Sequence, residues 1–400
     1  MQALRTPNSL ENTLQDRLKK RRELGSFRKL GSAAAAVDFT SNDYLGLARS
    51  LELANRIEHK LKHTQPRSPR NGSTGSRLLS GNSCWAEVLE GKIAAFHGTE
   101  SALLFNSGYD ANLGALSALL REGDTVFYDE LCHASIHDGI RLGKASAYPF
   151  KHNDTEQLEE WLSRLNRPTT ALKRSPTASV AWIVVESVYS MNGDTSALPE
   201  LASLAQRFES HLFVDEAHAT GVFGPAGAGI VQGLGLASEV AVRVHTFGKA
   251  LGCHGAVVVS SRVVQEYLIN FAKPLIYSTA LPPHGLAAIE AAYELLPELD
   301  PARTLLDSRV RFFRSLVAAH HLPVLESESP IQALIVPDPV SVQRLAQKAQ
   351  AEGFEVSPIL SPTVPRGQER IRICLHSYNS EDEIRELVLV LGKGLESLRQ

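Results

Sequence analysis

Between residues 87 and 260 the chain repeats one pattern: a short, almost wholly apolar run, a polar turn, then a helical stretch. The apolar runs fall at 102–105, 125–128, 182–185, 212–214, 242–244 and 256–259. A strand that faces water on one side alternates apolar with polar residues, whereas one covered on both sides stays apolar throughout. The helical stretches at 86–96, 112–120, 133–142, 155–165 and 198–208 supply the cover. The expected class is therefore α/β, with a mainly parallel central sheet and helices on both faces.

The flanks read differently. Leu10, Leu14 and Leu18 recur every fourth residue and make one apolar stripe on a surface helix. Its end, Lys19-Lys20-Arg21-Arg22, suits the negative pole of the helix better than it suits a dedicated anion site. A small-residue segment at 31–36 leads into a strand at 37–40, and a Pro/Thr/Ser-rich surface loop is expected at 166–179. After Leu281-Pro282-Pro283, a helix at 284–295 leads to strands near 332–336 and 370–375 and helices at 340–352 and 381–398. Ser380 and Glu383 have the spacing of a capping box at the start of the last helix. The expected domains are an N-terminal segment 1–50, a large α/β domain 51–283 and a smaller α+β domain 284–400.

Composition removes several classes. A net charge of −3 over 400 residues gives no reason to expect nucleic-acid or membrane binding. Cys84, Cys132, Cys253 and Cys374 form no CxxC pair, which fits a reduced, cytoplasmic chain with no metal site. The first 22 residues lack an apolar core like that of a secretion signal, and no run approaches the roughly eighteen apolar residues of a membrane span.

Ligands of a doubly wound sheet gather at the carboxyl ends of its strands, so the residues just after each run carry the argument. After 102–105 come Asn106-Ser107-Gly108-Tyr109, opening a helix whose first N–H groups suit a phosphate, although alone this is an ordinary turn. No GxGxxG occurs, and Gly248-Lys249 lacks the upstream glycine of a Walker loop. His133 follows the next run; a lone histidine there is usually structural, but an imidazole can also lie flat on a planar cofactor. The turn from Glu186 to Asp194, including Ser190, is dense in hydrogen-bonding groups. Asp215-Glu216-Ala217-His218 follows the run at 212–214, and Thr246-Phe247-Gly248-Lys249 follows the run at 242–244. No second histidine or cysteine stands near Asp215 and His218 to complete a metal shell, and no Gly-x-Ser-x-Gly elbow marks a hydrolase. Lys249 alone reads as a surface lysine. With Asp215 at the neighbouring strand end it suits pyridoxal phosphate (PLP): the amine forms a Schiff base and the carboxylate keeps the pyridine nitrogen protonated.

The motifs around these residues resemble the α-oxoamine synthases, fold-type-I PLP enzymes that condense an amino acid with an acyl thioester and release carbon dioxide. The resemblance rests on Ser41-Asn42-Asp43-Tyr44-Leu45-Gly46-Leu47, Gly72-Ser73-Thr74-Gly75-Ser76-Arg77-Leu78-Leu79-Ser80-Gly81, Asp215-Glu216-Ala217-His218-Ala219-Thr220-Gly221 and Thr246-Phe247-Gly248-Lys249. Tyr277-Ser278-Thr279-Ala280-Leu281-Pro282-Pro283 and Pro362-Thr363-Val364-Pro365 extend it over nearly the whole chain. It implies that Lys249 holds the Schiff base and moves the α-proton, that Asp215 meets the pyridinium nitrogen and that His133 stacks on the ring. Ser190 and His218 fall to the ring hydroxyl, Ser107, Gly108, Tyr109 and Thr246 to the phosphate, and Ser278 and Thr279 reach that phosphate from the partner of a homodimer. Arg372 corresponds to the arginine that grips the amino-acid carboxylate, while Arg28, Asn42 and Thr363 face the acyl substrate. Ser76, Ala219-Thr220-Gly221 and the Tyr277 segment favour the member that joins L-alanine to a pimeloyl thioester in biotin biosynthesis. Serine at 76, where aminolevulinate synthases carry threonine, leaves room for an amino acid larger than glycine. Glycine- or serine-using relatives share the PLP residues, and the carrier of the acyl group, coenzyme A or an acyl carrier protein, stays open. An aminotransferase, or a silent scaffold of the same fold, is the further alternative.

Overall fold

The computed structural model describes residues 9–28, 30, 36–63, 71–165 and 179–399. Nearly all of the small-residue segment at 31–36 and of the loop at 166–179 lies outside the described residues. Seven strands form the central sheet: β1 (Ser101–Phe105), β2 (Thr125–Asp129), β3 (Ser146–Phe150), β4 (Ala181–Glu186), β5 (Ser210–Asp215), β6 (Val240–Thr246) and β7 (Ala256–Ser260). Their order is β1-β7-β6-β5-β4-β2-β3, and β7 alone runs against its neighbours. Every other strand therefore brings its carboxyl end to the same edge.

Both faces of the sheet are covered, which is why the strands are continuously apolar. Trp182 and Val184 join a cluster with Ala111, Ala115 and Ile136 from the helices Gly108–Leu119 and Ala134–Leu142. Ile183 and Val185 join the opposite cluster, with Leu158, Leu162 and Leu201 from the helices Thr155–Leu165 and Leu198–Arg207. Each such aliphatic side chain taken fully out of water contributes about 1.5–3 kcal/mol. The same two-residue period aims the polar residues at the strand ends. Glu186 continues the series Trp182, Val184; Asp215 follows Phe213; Thr246 follows Val242 and Val244. All three thus project to the face carrying the helix Gly108–Leu119.

Several elements were not expected. β3 carries Pro149 and a largely exposed pattern, as suits an edge strand that pairs only with β2. The helices Leu51–Lys62, Arg262–Phe271 and Asp300–Ala319 are among the others.

Contacts divide the chain into two compact units. The larger comprises 41–308 and 376–378; the smaller comprises 1–40, 309–375 and 379–400. The division falls after Ser308 rather than after Pro283, because the helix Pro283–Leu295 packs on Leu51–Lys62 and Cys84–Phe96 within the larger unit. In sequence order the first cut comes after Thr40, ten residues before the expected end of the N-terminal segment. The smaller unit holds an antiparallel sheet of Ser357–Ile359, Arg370–Cys374 and Ile331–Ile335, with the helices Pro339–Ala351 and Glu381–Arg399. The capping box forms as its spacing requires: Ser380 N–H donates to Glu383 Oε2 at 2.7 Å, and Glu383 N–H to Ser380 Oγ at 3.2 Å. The N-terminal helix Ser9–Glu23 ends on Lys20, Arg21 and Arg22, with Leu10, Leu14 and Leu18 exposed.

Candidate active site

At the carboxyl edge of the sheet, within the larger unit, lies a cavity of about 280 Å³. Asn42, Ser107, Gly108, Tyr109, His133 and Lys249 line it, together with Asn112, Glu186, Asp215, His218 and Thr246.

On one side, Lys249 Nζ lies 3.0 Å from His218 Nε2. His218 is buried, and its Nδ1 lies 2.8 Å from the Tyr44 hydroxyl, which donates to Asn42 Oδ1 at 3.1 Å. A phenol has one proton to give. With it directed to Asn42, His218 presents Nδ1–H to the phenolic oxygen and its Nε2 lone pair to the lysine ammonium. The chain of contacts fixes both the ring and its tautomer.

On the other side sits Asp215, buried as the last residue of β5. Its Oδ1 accepts from the Ala217 N–H at 2.8 Å and its Oδ2 from Asn112 Nδ2 at 2.7 Å. The second proton of that amide goes to Ser135 Oγ at 3.0 Å, and Ser135 Oγ lies 2.8 Å from His133 Nδ1. His133 does not begin the helix Ala134–Leu142 but caps it, its Nδ1 accepting from the Ser135 N–H at 3.3 Å. An Nδ1 that accepts leaves the neutral ring its proton on Nε2. Burial lowers the pKa of His133; Asp215 opposes this, while Lys249 and His137 add to it. The ring is therefore uncharged near neutral pH, although its surface is open to the cavity.

The third wall is the start of the helix Gly108–Leu119. Ser107 is its N-cap, its Oγ accepting from the Asp110 N–H at 3.1 Å. The N–H groups of the first turn remain without helical partners and carry the positive pole of the helix. Thr246 closes over this turn so tightly that a Cβ on Gly108 would stand 2.4 Å from Thr246 Cγ2. Tyr109 turns outward, and its hydroxyl donates to Asp138.

Other residues expected at the site are not among those that line this cavity. Ser190 is buried in the turn after β4, outside the cavity wall. Ser76 pairs with Thr279 through a β-bridge, and Asn106 Nδ2 donates to the Thr279 carbonyl at 2.9 Å. Ser278 and Thr279 line a separate, narrow cavity with Arg77 and Leu281. Arg28, Thr363 and Arg372 belong to the smaller unit. There Arg28 Nη2 donates to Thr363 Oγ1 at 3.2 Å, and Arg372 is buried in the strand Arg370–Cys374. Conversely, Tyr44, Asn112, Ser135 and Glu186 belong to the site without having been singled out as site residues. Tyr44 lies inside a quoted motif, and Asn112 stands one helical turn after Gly108, so only the pairing across the fold was hidden.

The donor set suits a flat heteroaromatic aldehyde that bears a phosphate and a basic ring nitrogen. It offers an amine for the aldehyde, a buried carboxylate held by two donors, an uncharged imidazole and a free helix N-terminus. The pattern of the aminotransferase class I and II family matches residues 34–391, and the chain belongs to that family. It is 41% identical to an 8-amino-7-oxononanoate synthase from Emericella nidulans, over 99% of this chain and 98% of that one. It is 36% identical to the enzyme of the same name from Saccharophagus degradans, over 96% of this chain and 97% of that one. Among solved structures, the 8-amino-7-oxononanoate synthase of Francisella tularensis superposes with a TM-score of 0.76 at 30% identity, covering 92% of this chain and 99% of that one. A serine palmitoyltransferase from S. paucimobilis with bound PLP–myriocin aldimine superposes with a TM-score of 0.86 at 25% identity, covering 98% and 100%. The chain is a fold-type-I enzyme whose cofactor is PLP.

Proposed function

We propose that this chain condenses L-alanine with a pimeloyl thioester, releasing carbon dioxide and the free thiol carrier and giving 8-amino-7-oxononanoate for biotin synthesis. The observation that carries the chemistry is one cavity holding the Lys249 amine, the Asp215 carboxylate and the N-terminus at Ser107–Gly108. The choice of substrates rests on the 41% identity to an 8-amino-7-oxononanoate synthase over almost the full length of both chains.

When bound, PLP supplies an electron sink beside the α-carbon of the amino acid. Lys249 would hold it through the amine, and the same amine is the base placed to remove and return the α-proton of the amino acid. His218 Nε2 keeps the lysine nitrogen in place. Asp215 would meet the ring nitrogen, and its two hydrogen bonds keep the carboxylate from rotating away. The uncharged His133 would stack on the ring, and Ser107, Gly108, Tyr109 and Thr246 would receive the phosphate, with Ser190 assigned to the ring hydroxyl. The resemblance assigns Arg372 to the amino-acid carboxylate, where a rigid guanidinium fork suits a two-oxygen anion. It assigns Arg28, Asn42, Ser76 and Thr363 to the substrates, and Ser278 and Thr279 to the phosphate of a partner subunit in a homodimer. Four free cysteines accord with a cytoplasmic setting. Among the described residues no helix is long and apolar enough to cross a membrane.

The likeness to serine palmitoyltransferase, with a TM-score of 0.86, supports a second reading in which serine meets a long acyl chain. One assay separates the two: carbon dioxide release from alanine, glycine and serine against pimeloyl, acetyl and palmitoyl groups, each on coenzyme A and on an acyl carrier protein. Turnover with alanine and a pimeloyl thioester supports the proposal. Turnover with another pair and none with this one sinks it.

A further inference from the structure

Glu186 ends β4 directly opposite Asp215 at the end of β5, the two paired in register. Strand parity sends both side chains to the same face, and both line the cavity. Two carboxyl groups thus stand side by side at its floor. Asp215 is fully provided for, with donors on both oxygens. Glu186 is buried at 2% exposure, forms no ion pair among the described residues, and its Oε1 has no hydrogen-bond partner.

We infer that Glu186 is a positioning residue of the cofactor site, acting as a neutral hydrogen-bonding group that braces the main chain at His133 and leaves Asp215 as the anion for the ring nitrogen. The inference rests on the PLP reading above. Its physical basis is the cost of a second buried anion beside the first: an unpaired carboxylate in such a place takes up a proton instead. Burial and then the Asp215 carboxylate raise the pKa of Glu186 well above the carboxylate range. Lys249 and the His133 N–H, which faces the Glu186 carboxyl, pull the other way, and Asp129 adds to the rise. Cys132, beside His133, is itself buried and held as the thiol, so it adds no further negative charge. The carboxylic acid then does two things. It offers an acceptor to the His133 N–H, at the residue whose ring would cover the cofactor. Its lack of charge keeps the field at the ring nitrogen that of one carboxylate rather than two.

Glutamine has the shape of a protonated glutamate and no charge, so Glu186→Gln and Glu186→Ala separate the two roles. With the full chain at pH 7, infrared difference spectra of wild type minus Glu186→Gln are expected to contain a protonated-carboxyl C=O band. A carboxylate band in its place overturns the inference whether or not PLP binds. With PLP added, Glu186→Gln should keep its affinity within about twofold, whereas Glu186→Ala weakens it about tenfold. The pH midpoint of the visible band of bound PLP should stay unmoved in Glu186→Gln; a shift of about one unit means that a charge was removed and overturns the inference. Unchanged affinity in Glu186→Ala overturns the bracing role, and Glu186→Met replaces that variant should it fail to fold. A wild-type protein that forms no visible band takes the PLP reading down with the bracing role. A normal wild-type band beside a shifted Glu186→Gln midpoint takes down this inference alone.

Discussion

Lys249 Nζ and His218 Nε2 stand 3.0 Å apart, and Tyr44 holds the far nitrogen of the same imidazole at 2.8 Å. The histidine is thereby a fixed acceptor for the lysine ammonium. Lys249→Ala should abolish turnover and the visible band of bound PLP while leaving the melting temperature of the apo protein near that of wild type. His218→Ala should keep the band but slow exchange of the alanine α-proton, followed by loss of NMR signal in deuterium oxide, by roughly 10²-fold or more. An exchange rate equal to wild type refutes the positioning of the lysine by His218.

Asp215 depends on Asn112, whose amide spans from the carboxylate to Ser135 and, through it, to His133. Asn112→Ala frees one carboxylate oxygen and one serine hydroxyl in a buried setting, which should lower stability by about 1–3 kcal/mol. It should also weaken PLP binding, because Asp215 and His133 lose a shared support. Urea unfolding of the apo protein and PLP titration measure the two effects separately; a loss of stability with unchanged PLP affinity contradicts the shared support.

The positions of Lys249, Asp215 and His133 were legible because each follows an apolar run, and parallel strands deliver such residues to one edge. Their partners were not. Tyr44 is 174 residues from His218, and Asn112 is 103 residues from Asp215, so no local spacing announces either contact. Glu186 was visible as one polar residue in a polar turn; its meaning comes from register with Asp215, which only the sheet order supplies. β3 escaped notice because an edge strand containing Pro149 shows neither continuous apolarity nor clean alternation. The domain boundary moved because the helix Pro283–Leu295 is buried almost all round, a property of its neighbours rather than of its own period.

His152 ties three strand ends together. Its Nδ1 lies 3.0 Å from Asp129 Oδ1 and its Nε2 2.5 Å from Asp194 Oδ2, in the turn that also carries Ser190. Burial lowers its pKa, but the hydrogen bonds to Asp129 and then Asp194 outweigh this and raise it to about 9. A histidine whose folded pKa exceeds its unfolded value stabilises fully below the unfolded pKa, near 6.5, and loses that contribution as pH rises through the folded one. The stability difference between wild type and His152→Gln should therefore be largest below about pH 6.5, on the order of 3 kcal/mol, and fade above pH 9. Denaturant unfolding at pH 6, 8 and 10 checks it. A difference that grows with pH contradicts the assignment.

The contact between Gly108 and Thr246 closes the start of the helix Gly108–Leu119 against the end of β6, where the phosphate is proposed to sit. A methyl group on residue 108 would meet Thr246 Cγ2 at 2.4 Å, closer than carbon atoms approach, so either the helix start or the strand end must give way. Gly108→Ala should weaken PLP binding by about 10- to 100-fold, an effect of roughly 1.4–2.8 kcal/mol. The clash is with the threonine methyl rather than its hydroxyl, so Thr246→Ser removes the obstacle and keeps the hydrogen-bonding group. The double variant Gly108→Ala with Thr246→Ser should recover most of the lost affinity, a coupling that a double-mutant cycle of PLP dissociation constants reads directly. Additive losses would place the harm of the alanine elsewhere than in this contact.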